Sequence, residues 1–189
     1  MVVVGAGLAG ICAAVTAARA GALVSLVEAR SSLGGRIGRQ VRFPLEDSSV
    51  PNFAYFRETG LLDEILLTNL ASNFDGTYEG RDRVLNDFVR SQERLLYFND
   101  LPVIEAELNE RKDKILSVTG IDVLGRSRRR FMAPVYLDCT GNGSLAVLAG
   151  APGEHGVECE EYKKLSPLFG SGATAPESRF TITMEICPA

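Results

Sequence analysis

The chain has 189 residues, of which 46% are hydrophobic and 23% charged, proportions that suit one globular domain or one domain with part of a second. Its net charge of -4 argues against a nucleic-acid-binding surface, because neutralising phosphates needs an excess of Lys and Arg. The four cysteines include no CxxC spacing, so neither a zinc site nor a disulfide framework is predicted. No metal site is predicted.

The opening stretch VVVGAGLAGICAAVTAARAGALVSLVE, residues 2–28, is strongly apolar. A membrane span needs about 20 mostly apolar residues, and this stretch is interrupted by Gly5, Gly7, Gly10 and Arg19. A secretory signal places a basic segment before its apolar one, whereas here the apolar residues begin at position 2. We therefore predict a strand over 2–4, a turn at GAGLAG, a helix over 11–20 and a second parallel strand over 22–28.

The spacing of the turn glycines fits a dinucleotide. Gly5 allows the tight turn, Gly7 lets a pyrophosphate approach the backbone, and Gly10 lets the helix pack closely on the sheet. A pyrophosphate would then face the helix amino end, where unpaired N–H groups and the helix dipole favour an anion. The predicted cofactor-binding residues of this turn are Gly5, Gly7, Leu8, Ala9 and Gly10.

An acidic residue ends the second predicted strand. Glu28 lies eighteen residues after Gly10, where a carboxylate can accept hydrogen bonds from an adenosine ribose. The same charge repels a 2′-phosphate, so FAD or NAD is favoured over NADP. Glu28 and the following Ala29 are predicted to bind the cofactor.

A glycine pair follows, in the sequence ARSSLGGR. Its Gly34, Gly35 and Arg36 resemble the GG motif of flavoproteins with two dinucleotide-binding domains, in which the motif lies near the FAD diphosphate. The resemblance implies FAD rather than NAD as the cofactor. Taken alone, the segment also fits an ordinary flexible turn.

The segment PVYLDCTGNGSLAVLAG, residues 134–150, predicts a strand, a turn and a small-residue helix. It resembles the ATG-type segment that returns the chain to the sheet in those flavoproteins, which implies that Thr140 and Gly141 line the crevice. Asn142 departs from the acidic residue of a TGDG pattern. Alternating runs over 103–133 predict a three-stranded antiparallel meander, in which the resembled fold holds the adenine near the Val103 backbone.

The remaining patterns are structural. Residues 51–96 have helical periodicity, and an arginine cluster, Arg126 and Arg128 to Arg130, is assigned to a solvated hairpin turn. LLYFN at 95–99 predicts a strand that rejoins the sheet, and RFTITMEI at 179–186 predicts a strand with no partner. Two apolar stripes are assigned to the core: Phe56, Leu61, Leu62, Ile65, Leu66 and Leu70, and Val84, Leu85, Phe88 and Val89.

Together, residues 2–152 resemble the FAD-dependent oxidoreductase family. The resemblance implies an α/β, Rossmann-like FAD-binding domain with a parallel sheet and an antiparallel β-meander crossover over 1–152, with a helical insertion over about 51–96. Residues 153–189 are predicted to be a linker and the start of a truncated substrate domain, so the chain is expected to be an amino-terminal fragment. The expected partner is a small-molecule substrate, with no nucleic acid and no membrane, in the cytoplasm.

Two alternatives stay open. The first is an enzyme of the same fold that uses NAD at this site, and the second is a noncatalytic, truncated nucleotide-binding module. No catalytic residue can be named, because the sequence has no recognisable Ser/His/Asp arrangement. Its single histidine, His155, lies in the polar stretch GEHGVE, which is typical of a surface loop.

Overall fold

The computed structural model describes residues 1–42, 59–123, 126–151, 154–155 and 180–181. The strands are β1 (Val2–Val4), β2 (Val24–Val27), β3 (Leu95–Phe98), β4 (Val103–Leu108), β5 (Ile115–Ile121), β6 (Arg128–Phe131), β7 (Tyr136–Asp138), β8 (Glu154–His155) and β9 (Phe180–Thr181). The α-helices are α1 (Leu8–Arg19), α2 (Leu61–Ser72), α3 (Tyr78–Arg90) and α4 (Ser144–Leu148), with a 3₁₀ helix at Gly35–Ile37.

Four strands form a parallel sheet in the order β3-β2-β1-β7. The central strand β1 aligns Val3 with Leu26 of β2 on one side and with Leu137 of β7 on the other. The predicted parallel sheet is confirmed, including the return of residues 95–98 to its edge as β3. β4, β5 and β6 form the predicted antiparallel meander between β3 and β7.

The sheet is covered on both faces, which is usual for parallel strands. Val3 and Leu26 belong to a core cluster shared with α1 and α3, whereas Val4 and Val27 belong to a second cluster shared with the meander. Consecutive residues of one strand point to opposite faces, so each strand contributes to both clusters. The result is a helix layer, a sheet layer and a meander layer.

Helix α1 begins earlier than expected. The prediction placed its start at residue 11, but it begins at Leu8, directly after the N-cap residue Gly7. Its end follows the predicted glycine: Gly21 has φ of +95° and its N–H donates to the Ala18 carbonyl at 2.9 Å. The Ala22 N–H donates to the Ala17 carbonyl at 3.0 Å, which completes a Schellman cap.

The arginine cluster is placed differently from its prediction. Three of its members are in strand β6, which pairs antiparallel with β5, rather than in a turn, and their side chains form ion pairs with acids. The ion pairs are Arg128 with Glu105 at 3.3 Å, Arg129 with Asp122 at 3.5 Å and Arg130 with Glu107. The three arginine side chains are about half or more exposed to water, so each pair adds little to stability.

The two helices of the middle segment differ in how they pack. The stripe predicted on α3 is confirmed, since its four apolar residues are all buried, and Thr77 caps the helix by accepting from the Gly80 N–H at 3.0 Å. On α2 only Ile65 is buried, and the core assignment of Leu70 is wrong because that side chain is 73% exposed. The predicted member Phe56 lies outside the described residues.

Two smaller observations complete the fold. The strand predicted without a partner at 179–186 is described at Phe180–Thr181, where it pairs antiparallel with Glu154–His155, so the prediction that it has no partner is wrong. Within the described ranges, no helix is both long enough and apolar enough to cross a membrane.

Candidate cofactor-binding site

The candidate site lies where the carboxyl ends of β1, β2 and β7 meet. β1 is followed by the glycine turn, β2 by Glu28 and β7 by Cys139 and Thr140. Ligands of open parallel sheets bind at this edge, at the point where neighbouring connections run in opposite directions. Here that point is β1, since β2 and β7 flank it on opposite sides.

Two glycines of the turn are required by close packing. Gly5 has φ of +100°, and a Cβ built on it would lie 2.4 Å from the Cys139 carbonyl oxygen. A Cβ on Gly10 would lie 1.8 Å from the Gly5 carbonyl oxygen and 3.2 Å from the Cys139 Cβ. The close approach of helix to sheet that was expected at Gly10 is therefore present, and the turn after β7 is part of the contact.

Gly7 has a different environment. A Cβ on Gly7 would meet no atom of the described residues within 4 Å, so protein packing does not require a glycine there. Gly7 is the N-cap of α1 and, as a glycine, has no side chain with which to cap the helix, and the first turn of α1 holds no acidic residue. Leu8 is half-buried and Ala9 exposed. The helix amino end thus presents unsatisfied N–H groups and a positive dipole end beside open space, which suits a diphosphate.

The Glu28 carboxylate is held in place by backbone amides. The residue is only 8% exposed; its Oε2 accepts from the Ala6 N–H at 2.6 Å and its Oε1 from the Arg30 N–H at 3.0 Å. Each carboxylate oxygen has a second lone pair, so ribose hydroxyls can still donate to it. Ala29, the next predicted residue, is exposed at this end of β2.

The glycine pair docks on the glycine turn. The Gly34 N–H donates to the Ala6 carbonyl at 2.8 Å, and Gly34 forms a parallel bridge with Gly7. Gly34 and Gly35 have φ of +90° and +56°, and a Cβ on Gly35 would lie 3.0 Å from the Gly7 Cα. Arg36 follows in the 3₁₀ helix and is exposed. The structure therefore brings residues 34–36 beside the amino end of α1.

The turn after β7 is organised by a carboxylate that sequence reasoning missed. Asp138 Oδ1 accepts from the Thr140 N–H at 2.9 Å and from the Thr140 hydroxyl at 2.6 Å. Asp138 Oδ2 accepts from the Ala146 N–H in α4 at 2.8 Å. Gly141 is exposed beyond this network. An acid that ends a strand just before a Thr-Gly turn is the signal that could have identified Asp138, because short carboxylates often bond backbone two residues ahead.

Val103, the predicted adenine contact, is the first residue of β4 and is half-buried against the second core cluster. It lies two residues after Leu101, whose N–H donates to the Glu28 carbonyl at 2.9 Å. This hydrogen bond holds the segment that leads into the meander beside the end of β2.

Several groups around the site have shifted pKa values. Burial, and then the Asp138 charge, raise the pKa of the Cys139 thiol, whereas burial alone raises that of Cys12. Burial also raises the pKa of Asp82, although Arg39 opposes the shift from 3.7 Å. The pKa of Tyr97 is raised by burial and by nearby acids. Among the described residues, no group of three or more His, Cys, Asp and Glu side chains could hold a metal ion.

This fold and this site define a Rossmann-type dinucleotide-binding domain. The model of the FAD dependent oxidoreductase family matches residues 1–183, so the chain belongs to that family and its cofactor is FAD. Both the predicted family and the predicted cofactor are confirmed. A search of curated proteins found no match.

Solved structures of flavoenzymes share the fold at low sequence identity. A glycerol-3-phosphate dehydrogenase from Bacillus halodurans complexed with FAD is 15% identical, with a TM-score of 0.51 over 79% of this chain and 36% of that chain. The p-nitrophenol 4-monooxygenase PnpA from Pseudomonas putida is 16% identical, with a TM-score of 0.53 over 82% of this chain and 44% of that chain. This chain thus spans less than half the length of each of these two enzymes.

Proposed function

We propose that the chain forms the adenosine- and diphosphate-binding part of an FAD-dependent oxidoreductase that acts on a small-molecule substrate. The observation that carries this proposal is the amino end of α1, whose N-cap Gly7 has no side chain and borders space that no other described residue fills. An anion fits there, and the dipole of a 12-residue helix favours it. When bound, FAD supplies the hydride or electron transfer, and the protein supplies binding and orientation.

The roles of the binding residues follow from their positions. Glu28 would accept hydrogen bonds from the ribose, because its carboxylate is already oriented by two backbone amides and retains acceptor capacity. Gly7 would leave room for the diphosphate at the helix end, with Leu8 and Ala9 contributing backbone N–H groups. Burial of Glu28 strengthens its hydrogen bonds by excluding water.

The other predicted contacts are assigned to the rim of the same crevice. They are Gly5, Gly10, Ala29, Gly34, Gly35, Arg36, Val103, Thr140 and Gly141. Gly34 and Gly35 would close over the diphosphate, since their loop is bonded to the Ala6 carbonyl. The exposed Arg36 would add a cation at this rim.

We further propose that residues 1–152 are the FAD-binding domain and that residues 153–189 begin the part that meets the substrate. A cytoplasmic location is proposed as well, because the described cysteines, Cys12 and Cys139, are free thiols.

The test is the absorption spectrum of the full-length protein as purified, followed by a screen of reducing substrates under anaerobic conditions. We expect the visible bands of bound flavin, which bleach when a substrate reduces the cofactor. Excess ADP should accelerate the loss of flavin, because it shares the adenosine and diphosphate groups. A colourless protein that NAD stabilises against heat, and that FAD does not, would contradict the proposal.

A further inference from the structure

The hydroxyl of Thr140 is engaged inside the protein. It donates to Asp138 Oδ1 at 2.6 Å and accepts from the Ser144 N–H at 2.8 Å. A hydroxyl has a single proton to donate, so Thr140 Oγ1 cannot donate to a cofactor while it donates to Asp138. Although Thr140 lies at the crevice, its hydroxyl therefore serves the turn rather than the ligand.

The Asp138 carboxylate joins this turn to helix α4. One oxygen holds the Thr140 amide and hydroxyl, and the other holds the Ala146 N–H in the first turn of the helix. Hydrogen bonds to an ionised acceptor are stronger than neutral ones. The conformation of residues 138–146 is thus fixed by one side chain and completed by the Thr140 hydroxyl.

The backbone fixed in this way is a wall of the glycine turn. The Cys139 N–H donates to the Val4 carbonyl at 2.8 Å, and the Cys139 carbonyl occupies the space that a Cβ of Gly5 would need. The Cys139 side chain also approaches Gly10. Gly5 and Gly10 are packed closely against Cys139. A displacement of Cys139 and Thr140 would therefore change the position of the amino end of α1.

We propose that Asp138 and the Thr140 hydroxyl are positioning residues of the cofactor site: they hold the turn after β7 against the glycine turn and so fix the amino end of α1 for the FAD diphosphate. This inference rests on the function proposed above. It assigns Thr140 an indirect side-chain role, in which the hydroxyl acts on the cofactor only through the protein backbone.

The experiment compares Thr140→Val, which is nearly isosteric but lacks the hydroxyl, with Thr140→Ser, which keeps it. Asp138→Asn removes the charge and one acceptor oxygen. The matched control is Thr68→Val on α2, where the hydroxyl bonds the Glu64 carbonyl at 2.7 Å, away from the crevice. For each full-length protein, the rate of FAD dissociation is measured on dilution, and amide hydrogen exchange is measured by mass spectrometry with flavin bound and after its removal.

In Thr140→Val and Asp138→Asn we expect FAD to dissociate about tenfold faster, a loss typical of one charge-assisted hydrogen bond. Exchange should accelerate in peptides covering residues 5–11, where the Gly5 and Ile11 amides are hydrogen-bonded, and stay unchanged at β3. Thr140→Ser should stay within about twofold of the parent, since the hydroxyl is retained. A general loss of structure would instead accelerate exchange throughout the sheet.

The inference is overturned if Thr140→Val keeps the parental exchange over residues 5–11, or if Thr140→Ser is as impaired as Thr140→Val. Failure of the proposed function looks different, because the parent protein itself would then retain no FAD. In that case the exchange measurements on the flavin-free protein still decide whether Asp138 and Thr140 position the glycine turn. If Asp138→Asn does not fold, the Thr140 pair gives the answer.

Discussion

The ends of β2 and β7 place a carboxylate on either side of the glycine turn, but the two carboxylates differ in how far along the sequence their hydrogen-bond partners lie. Glu28 bonds the Ala6 N–H, 22 residues away, and so joins two separate elements. Among the described residues, Asp138 bonds Thr140 and Ala146, two and eight residues ahead, and so organises its own turn and the helix that follows.

This difference between Glu28 and Asp138 shows that the two sides of the crevice are assembled differently. On the β2 side, one buried carboxylate contacts the glycine turn directly and leaves lone pairs toward the ligand. On the β7 side, the backbone contacts the glycine turn, since the Cys139 carbonyl lies against Gly5. Asp138 stabilises that backbone by accepting a hydrogen bond from the Thr140 N–H. We therefore expect substitutions on the β2 side to affect the cofactor directly, and those on the β7 side to act through packing.

The largest expected effect is at Gly10, the most crowded position on the β7 side. In Gly10→Ala the new Cβ would lie 1.8 Å from the Gly5 carbonyl oxygen, so β1 and α1 must separate. We expect the free energy of unfolding to fall by more than about 4 kcal/mol, as measured by urea denaturation. The control is Gly141→Ala, whose Cβ would meet nothing within 4 Å. Similar stabilities for the two variants would contradict the packing role.

Glu28→Arg is expected to have the next largest effect, on the β2 side. It removes the acceptor of the Ala6 and Arg30 amides and places a cation at a position that is 8% exposed. We expect the protein to purify without flavin and to lose about 3 kcal/mol of unfolding free energy. Glu93→Arg, at an exposed site at the opposite end of the sheet, is the control. If Glu28→Arg purifies as yellow as the parent, the ribose assignment is wrong.

Gly7→Ala separates ligand binding from folding. No atom of the described residues lies within 4 Å of the added Cβ, so the free energy of unfolding without flavin should change by less than about 0.5 kcal/mol. The methyl group would occupy the space proposed for the diphosphate, so FAD affinity should fall by at least about tenfold. Titration of the flavin-free protein with FAD, followed by fluorescence, measures the affinity. Unchanged affinity would remove Gly7 from the site.

The smallest effect concerns the Cys139 thiol. Burial and the Asp138 charge raise its pKa, so the reactive thiolate forms at higher pH than in a free cysteine, and alkylation by iodoacetamide is slow at neutral pH. Asp138→Asn should lower this pKa, so that at a fixed pH below it alkylation becomes faster. Cys12 is the internal control, because its pKa is raised by burial alone. Peptide mass spectrometry reports both rates, and an equal change at both cysteines would argue against a local charge effect.

Local sequence signals predicted a large part of the fold. The first strand, the glycine turn and Glu28 follow from a glycine spacing and an acid at a fixed offset, and the meander follows from its alternation. These features depend on backbone geometry within a few residues, which sequence encodes directly. The start of α1 was placed three residues late, because the turn glycines were assigned to the loop although Gly10 is helical.

Other assignments required the tertiary structure. From sequence the arginines of β6 indicate a solvated turn, whereas in the structure they lie in a strand beside β5, and the Arg128 side chain reaches Glu105 of β4, 23 residues away. Leu70 and Ile65 belong to the same predicted stripe, but Ile65 is buried whereas Leu70 is 73% exposed. Periodicity indicates which face of a helix is apolar, and it does not indicate how much of that face is covered.

The sequence by itself determined the order of strands and helices, the glycines that permit the turn, and the acid that ends β2, because each depends on the conformational freedom or charge of residues close together in the chain. Only the tertiary structure decided that Cys139 forms a wall of the glycine turn, that the glycine pair bonds Ala6, and that Asp138 lies behind the crevice. These contacts arise when strands distant in sequence align side by side and bring their carboxyl ends to one edge of the sheet.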